Sequence, residues 1–171
     1  SGDSAAPYGS LPTAIVDSMA RLSRSTTAMV LLPLRKALGG NVIEYAEQHL
    51  PDATIASTGG ALGRDYRHYY GSMVASSLSD IYLDKVFLGA DGFEPDFGFL
   101  AEFEQTALTK VEFLRHARTK IMLMDSTKVG AGRSFVRFAK PSEFDIVIMD
   151  NLSSHKRASV RAMPLVTMPH A

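Results

Sequence analysis

Residues 83–92 read Leu-Asp-Lys-Val-Phe-Leu-Gly-Ala-Asp-Gly, and this stretch decides the class of fold. Lys85–Leu88 indicates a strand, and the glycine-rich residues 89–92 indicate a turn directly after it. The same arrangement recurs where Ile121–Met124, a continuous apolar run, leads into Asp125-Ser126-Thr127-Lys128. Continuous apolar runs are typical of strands that are buried on both faces of a parallel sheet. The sequence therefore predicts parallel strands that each end in a small-residue turn.

Outward from this stretch, short apolar runs alternate with segments of helical periodicity. We predict strands over Thr27–Leu32, Ala53–Ser57, Lys85–Leu88, Ile121–Met124 and Asp145–Met149, with an edge strand over Pro164–Met168. We predict helices over Thr13–Leu22, Val42–Leu50, Ser72–Ile81, Phe103–Ala117 and Ser153–Ala162. This alternation with short connections predicts an α/β fold with a mostly parallel sheet flanked by helices.

Apolar spacing also predicts which helix residues face the core. On two helices the residues at this spacing are Met73, Val74, Ser77, Leu78 and Ile81, and Phe103, Ala107, Val111 and Leu114. The last helix carries Lys156, Arg157 and Arg161, which we expect to form a solvated face rather than a binding patch.

Length and composition limit the classes of protein to which the chain can belong. Its 171 residues suit one domain, so we expect residues 1–171 to form a single domain. The absence of cysteine excludes disulfides, thiolate zinc sites and cysteine nucleophiles. The longest apolar stretch, Ala28–Leu32, is far too short to span a membrane, so we expect a cytoplasmic protein with no membrane partner. Eighteen basic and 18 acidic residues give zero net charge, which argues against a DNA-binding surface on this chain.

The usual catalytic and cofactor motifs are absent from the sequence. It contains neither glycine-rich nucleotide fingerprint, no nucleophile elbow and no His-Glu-x-x-His zinc motif. The five histidines are scattered without metal-ligand spacing. We therefore expect no metal, no cofactor and no catalytic residues.

Four small-residue turns point to an anion site at the carboxyl edge of the predicted sheet. Carboxyl ends of parallel strands share one edge, where glycine backbone N–H groups, hydroxyls and lysines can hold an anion. The candidate ligand-binding residues are Gly9, Ser10, Thr13, Thr58, Gly59, Gly60, Gly89, Ala90, Asp91, Gly92, Lys110 and Lys128. A structural alternative stays open, because such connections favour Gly, Ser and Asp in any case. In that alternative Lys128 caps its own turn and Asp91 starts a helix.

The combined motifs resemble the effector domain of DeoR-family transcriptional repressors. The resemblance lies in Leu83–Gly92, Gly98, Lys110, the Asp-Ser-Thr-Lys turn and Ile146-Val147-Ile148-Met149-Asp150, with Thr58-Gly59-Gly60 and Gly71 also matching. It extends from Pro51 to Asp150. It implies a fold shared with ribose-5-phosphate isomerase and glucosamine-6-phosphate deaminase, used to sense a phosphorylated sugar or similar small anionic effector. It also implies an upstream winged helix-turn-helix that binds DNA, so we expect this chain to be the effector half of a longer regulator that forms dimers or tetramers.

Three departures from the family pattern bear on the ligand. The first loop offers only Gly9, Ser10 and Thr13 in place of Asp-Ser-Gly-Thr-Thr, and the second strand ends in Leu32-Pro33 rather than Thr-Asn. Thr106 stands where the family has a glutamate four residues before the helix lysine. Two other functions therefore stay open: a sugar-phosphate isomerase-like enzyme and an effector-blind oligomerisation domain.

Overall fold

A computed structural model describes residues 29–31, 58–62, 69–132, 136–150, 152–161 and 163–167 of the chain. The predicted helices over Thr13–Leu22 and Val42–Leu50 and the predicted strand over Ala53–Ser57 lie outside the described residues. The described strands are β1 Met29–Leu31, β2 Ala61–Leu62, β3 Tyr69–Tyr70, β4 Leu83–Gly89, β5 Gly92–Glu94, β6 Gly98–Ala101, β7 Ala117–Met124, β8 Val136–Ala139, β9 Ile146–Met149 and β10 Leu165–Thr167. The described α-helices are α1 Ser72–Leu78, α2 Glu104–Arg115 and α3 Ser154–Ser159.

A parallel sheet of order β1-β4-β7-β9-β10 forms the centre of the fold. Each pair of neighbours runs parallel, with Phe87 opposite Ile121 and Ile121 opposite Ile146. The carboxyl-terminal halves of β4, β7 and β9 are buried, which explains why these segments are continuously apolar. The predicted α/β class with a mostly parallel sheet is confirmed.

A second, antiparallel sheet of order β5-β6-β8 was not predicted. An aromatic cluster packs around Phe99 of β6. The Phe99 ring centroid lies 5.1 Å from that of Phe93, 5.2 Å from that of Phe144 and 6.4 Å from that of Phe138. At the start of β6, Gly98 has a φ of +121°, and a Cβ there would lie 2.5 Å from the carbonyl oxygen of Ala139. Only glycine allows β6 and β8 to approach this closely.

The helices are shorter than predicted, and four residues expected to face the core are exposed. In α1, Val74 and Leu78 are buried, whereas Met73, Ser77 and Ile81 are exposed. Because α1 ends at Leu78, Ile81 falls in the connection to β4 and no longer follows the helical spacing. Phe103 is the N-cap of α2 and is 47% exposed, so its predicted inward orientation is wrong.

The remaining helix predictions hold for most of their residues. Ala107 and Leu114 of α2 are buried and Val111 is partly buried against the core, as predicted. At the end of the chain, α3 is followed by β10, which pairs with β9 at the edge of the central sheet. None of the helices in the described part of the chain is long and apolar enough to cross a membrane.

Candidate functional site

Three neighbouring strands of the central sheet end at one edge, and each is followed by polar residues. Gly89 at the end of β4 pairs with Leu123 of β7, and Met124 of β7 pairs with Met149 of β9. The residues that follow are Ala90–Asp91 after β4, Asp125–Lys128 after β7 and Asp150 after β9. Since neighbouring strands lie about 4.8 Å apart, these groups share a small region of the surface. We call this region the carboxyl edge.

Asp91 is held at the carboxyl edge by the β5–β6 hairpin. Its backbone N–H donates to the carbonyl of Leu100 over 2.9 Å, and its Oδ2 accepts the backbone N–H of Glu102 over 3.1 Å. The half-buried carboxylate is therefore fixed at the open end of the hairpin. Asp91 leads into a strand, so the alternative that it starts a helix is wrong: Gly92 already belongs to β5.

Asp125 organises the short 3₁₀ turn Ser126–Lys128 that follows β7. Its Oδ1 accepts the backbone N–H of Thr127 over 3.1 Å and also the Thr127 hydroxyl. The ammonium of Lys128 lies 3.4 Å from Oδ2 of the same carboxylate. Burial raises the pKa of Asp125, but the Thr127 hydrogen bonds and the Lys128 charge together outweigh it and leave the pKa below 3.8. Lys128 thus pairs within its own turn, as the structural alternative predicted.

Two residues that sequence analysis did not assign to the site hold this turn from outside. Oδ1 of Asp150 accepts the backbone N–H of Ser126 over 2.5 Å, and Nζ of Lys156 donates to the Ser126 carbonyl over 2.7 Å. The expectation that Lys156 belongs to a solvated face is therefore wrong, although Arg157 is exposed as expected. Asp150 was recognised only as the residue that ends a strand. Nothing in the local sequence signals the contact of Lys156.

The turn after β7 is also joined to the second sheet. Val129 forms an isolated parallel bridge with Phe93 of β5, and the backbone N–H of Gly130 donates to the Phe93 carbonyl over 2.9 Å. The elements that carry Asp91 and Lys128 are therefore connected by backbone contacts.

Lys110 of α2 is almost entirely buried, with 7% of its surface exposed. Its Nζ lies 4.9 Å from the centroid of the Phe138 ring in β8, a distance at which an ammonium is attracted to the face of an aromatic ring. The side chain of Lys110 thus extends from α2 to the second sheet and ends over the Phe138 ring.

Thr58, Gly59 and Gly60 pack against α1. The Ser77 hydroxyl donates to the Thr58 carbonyl over 2.5 Å. Gly60 has a φ of +112°, and a Cβ there would lie 2.7 Å from the carbonyl oxygen of Tyr70. Close packing against β3 thus explains glycine at this position without a ligand. The predicted site residues Gly9, Ser10 and Thr13 lie outside the described residues.

The described side chains include both acceptors and donors for a polar anionic ligand. Carboxylates accept hydrogen bonds from hydroxyls, and the three N–H donors of the Lys128 ammonium can bind an anion while the residue stays near Asp125. Among the described residues, no three His, Cys, Asp or Glu side chains are placed to hold a metal ion together.

Comparison with known proteins places these residues within a family. The model of the DeoR C terminal sensor domain matches residues 40–151, which is well over half of the chain. This range includes the carboxyl edge from Gly89 to Asp150.

Three curated relatives are transcriptional regulators by name. The chain is 33% identical over 94 residues to the HTH-type transcriptional repressor GlcR of Bacillus subtilis. The aligned residues cover 55% of this chain and 36% of the relative. It is 30% identical over 99 residues to the HTH-type transcriptional regulator GlpR of Haloferax volcanii, covering 58% and 38%. It is 28% identical over 100 residues to the uncharacterized HTH-type transcriptional regulator YgbI of Escherichia coli, covering 58% and 38%. The chain thus spans well under half the length of these relatives.

Proposed function

The chain belongs to the DeoR family as a C-terminal sensor domain, and from this premise we propose that it binds a phosphorylated sugar or a similar small anion at the carboxyl edge. Within a longer cytoplasmic regulator, which we propose to be a dimer or tetramer, ligand occupancy would change the affinity of a separate segment for DNA. The observation that carries this proposal is the position of Asp91, Thr127 and Lys128 directly after the ends of two adjacent parallel strands.

The chemistry of these groups suits a sugar phosphate better than a purely apolar ligand. The Lys128 ammonium would attract the phosphate, and the Asp91 carboxylate would accept hydrogen bonds from sugar hydroxyls. Thr58–Gly60, Gly89–Gly92 and Lys110 would complete the proposed site together with Gly9, Ser10 and Thr13. Ligands of parallel sheets bind at this edge as a rule.

Asp125 is a poor candidate for the general base of an isomerase-like enzyme. Aldose–ketose isomerisation needs a general base whose pKa lies near the working pH. The pKa of Asp125 is lowered instead, because Thr127 and Lys128 stabilise its charged form more than burial opposes it. A carboxylate stabilised in this way is a weak base, so we propose that Asp125 organises the turn and does not move a proton.

Titration calorimetry with three anions tests the proposal: ribose 5-phosphate, glucosamine 6-phosphate and inorganic phosphate. Lys128→Met and Asp91→Asn are each expected to weaken sugar-phosphate binding roughly ten- to hundredfold, as the loss of a charge-assisted hydrogen bond does. Arg118→Met is the matched control, because Arg118 lies on β7, the strand that leads into the Lys128 turn, but is exposed at the opposite, amino-terminal end of that strand. This variant is expected to bind like the unaltered chain.

The same samples separate the sensor from its two rivals. A sensor binds the sugar phosphate and returns it unchanged, whereas an isomerase-like enzyme converts it to the isomeric sugar phosphate. Binding that neither variant affects would show that the site is elsewhere. If the unaltered chain binds none of the three anions, an effector-blind oligomerisation domain becomes the better description.

A further inference from the structure

Ser126 is held on both sides by charged side chains from other parts of the chain. Asp150 accepts its N–H over 2.5 Å, and Lys156 donates to its carbonyl over 2.7 Å. These two backbone groups belong to the two consecutive peptide planes that flank the Cα of Ser126. Fixing both planes leaves the backbone at this residue little freedom to rotate.

We propose that Asp150 and Lys156 are positioning residues that fix the turn Ser126–Lys128 and so place Thr127 and Lys128 for the effector. The inference rests on the proposed function, since it assigns a role in effector binding to two residues that need not touch the ligand. Both contacts are charge-assisted, which makes them stronger than hydrogen bonds between neutral groups. They also tie the turn to the end of β9 and to α3.

Within the turn, the backbone contacts show how a change at Ser126 would reach Lys128. The Ser126 carbonyl that Lys156 binds also accepts the N–H of Val129 over 3.3 Å. The N–H of Lys128 donates to the Asp125 carbonyl over 3.2 Å. If the Ser126 carbonyl rotates away, the Val129 bond is lost and Lys128 is no longer held between two fixed ends.

The chain offers a matched control for each positioning residue. Arg157 follows Lys156 on α3 and is exposed. Asp145 accepts a backbone N–H, that of Lys120, over 2.7 Å, but does so at the amino-terminal end of β9. Arg157→Met and Asp145→Ala therefore remove comparable groups away from the turn.

Amide hydrogen exchange measured without ligand tests the positioning directly. In Lys156→Met and Asp150→Ala, the amides of Thr127, Lys128 and Val129 are expected to exchange about tenfold faster, because the turn opens more often. Lys156→Arg, which keeps a charged donor, should restore slow exchange. The two control variants should leave these three amides unchanged. Melting curves identify any variant that has lost its fold, and Asp150→Asn, which removes the carboxylate charge and so weakens the bond to Ser126, then replaces Asp150→Ala.

Titration with ribose 5-phosphate and glucosamine 6-phosphate completes the test. Faster exchange together with roughly tenfold weaker binding in Lys156→Met, both restored in Lys156→Arg, supports the proposal. Weaker binding with unchanged exchange would overturn it, because Lys156 would then contact the anion itself. Faster exchange with unchanged binding would also overturn it. If the unaltered chain binds neither anion, the proposed function fails, while the exchange rates still decide whether Asp150 and Lys156 fix the turn.

Discussion

Phe99→Ala tests whether the second sheet is held together by its aromatic cluster. Phe99 is fully buried and its ring contacts those of Phe93, Phe138 and Phe144. Replacing a buried phenylalanine with alanine typically costs about 3–5 kcal/mol, through lost burial and the cavity left behind. Each lost aromatic pair is worth about 0.5–1.5 kcal/mol beyond its area, so we expect a cost near the upper end, about 4–5 kcal/mol.

Urea denaturation of Phe99→Ala and of Phe97→Ala, two residues away, measures this cost. Phe97 is 47% exposed and lies 4.8 Å below the guanidinium of Arg137, so its loss should cost only about 0.5–1 kcal/mol. In a chain of this length, about 4 kcal/mol corresponds to a fall in Tm of about 8–16 °C. If Phe99→Ala costs less than about 1 kcal/mol, the mean for any substitution, the cluster does not stabilise the sheet in this way.

Two further predictions concern pH and a glycine. The pKa of Asp125 is lower in the folded chain than its ordinary value of 3.8, so the ionised carboxylate stabilises the fold above about pH 3.8. This stabilisation is lost as the pH falls through the pKa of the folded state. Between about pH 5 and pH 2.5, the free energy of unfolding measured in urea should therefore fall less for Asp125→Asn than for the unaltered chain. The same fall in both chains would refute this. Gly60→Ala should destabilise the chain by more than Gly71→Ala. Both glycines have positive φ, but only at Gly60 would a Cβ lie 2.7 Å from the Tyr70 carbonyl oxygen, whereas Gly71 faces open space. Equal losses in thermal melts would show that this close contact relaxes without cost.

The central sheet could be predicted because each of its inner strands contains a continuous run of apolar residues. Residues of β4, β7 and β9 are buried at the carboxyl-terminal half, so apolar side chains follow one another without interruption. The strands extend further toward their amino ends than predicted, to Leu83 and Ala117. On β7, backbone pairing continues there through polar residues such as Thr119 and Lys120, which apolar patterning does not detect.

The second sheet could not be predicted, because its strands are short and depend on distant partners. β5 has three residues and begins with Gly92, and the connection that follows contains Pro95 and Asp96, which indicate a turn. What makes β6 a strand is its pairing with β8 and the packing of Phe99 on Phe138. These contacts join residues about forty positions apart, and local sequence does not encode them.

Sequence patterns predicted which turns carry polar groups but not how those groups pair. The Asp-Ser-Thr-Lys turn after β7 was identified from its residues, whereas its two outer contacts join Ser126 to residues 24 and 30 positions later. Asp150 reaches Ser126 because β9 lies beside β7, and Lys156 does so because α3 follows β9. Such contacts follow from the order of the strands, so they become visible only in the folded chain.

The pairing of charges at the carboxyl edge bears on which anions it can bind. Among the described residues, Asp91, Asp125 and Asp150 place three carboxylates there, next to the ammonium of Lys128 and to Lys156, which is bound to the Ser126 carbonyl. Lys110, which we include in the proposed site, is buried against Phe138. Inorganic phosphate is attracted by Lys128 but repelled by these carboxylates, and it has no sugar hydroxyls to donate to them. A sugar phosphate carries both an anion and several hydroxyl donors, so one ligand can satisfy both kinds of group. The carboxyl edge should therefore select ligands that combine an anionic group with hydroxyl groups. Inorganic phosphate should bind more weakly than either sugar phosphate. Equal binding of all three anions would mean that the carboxylates play no part in recognition.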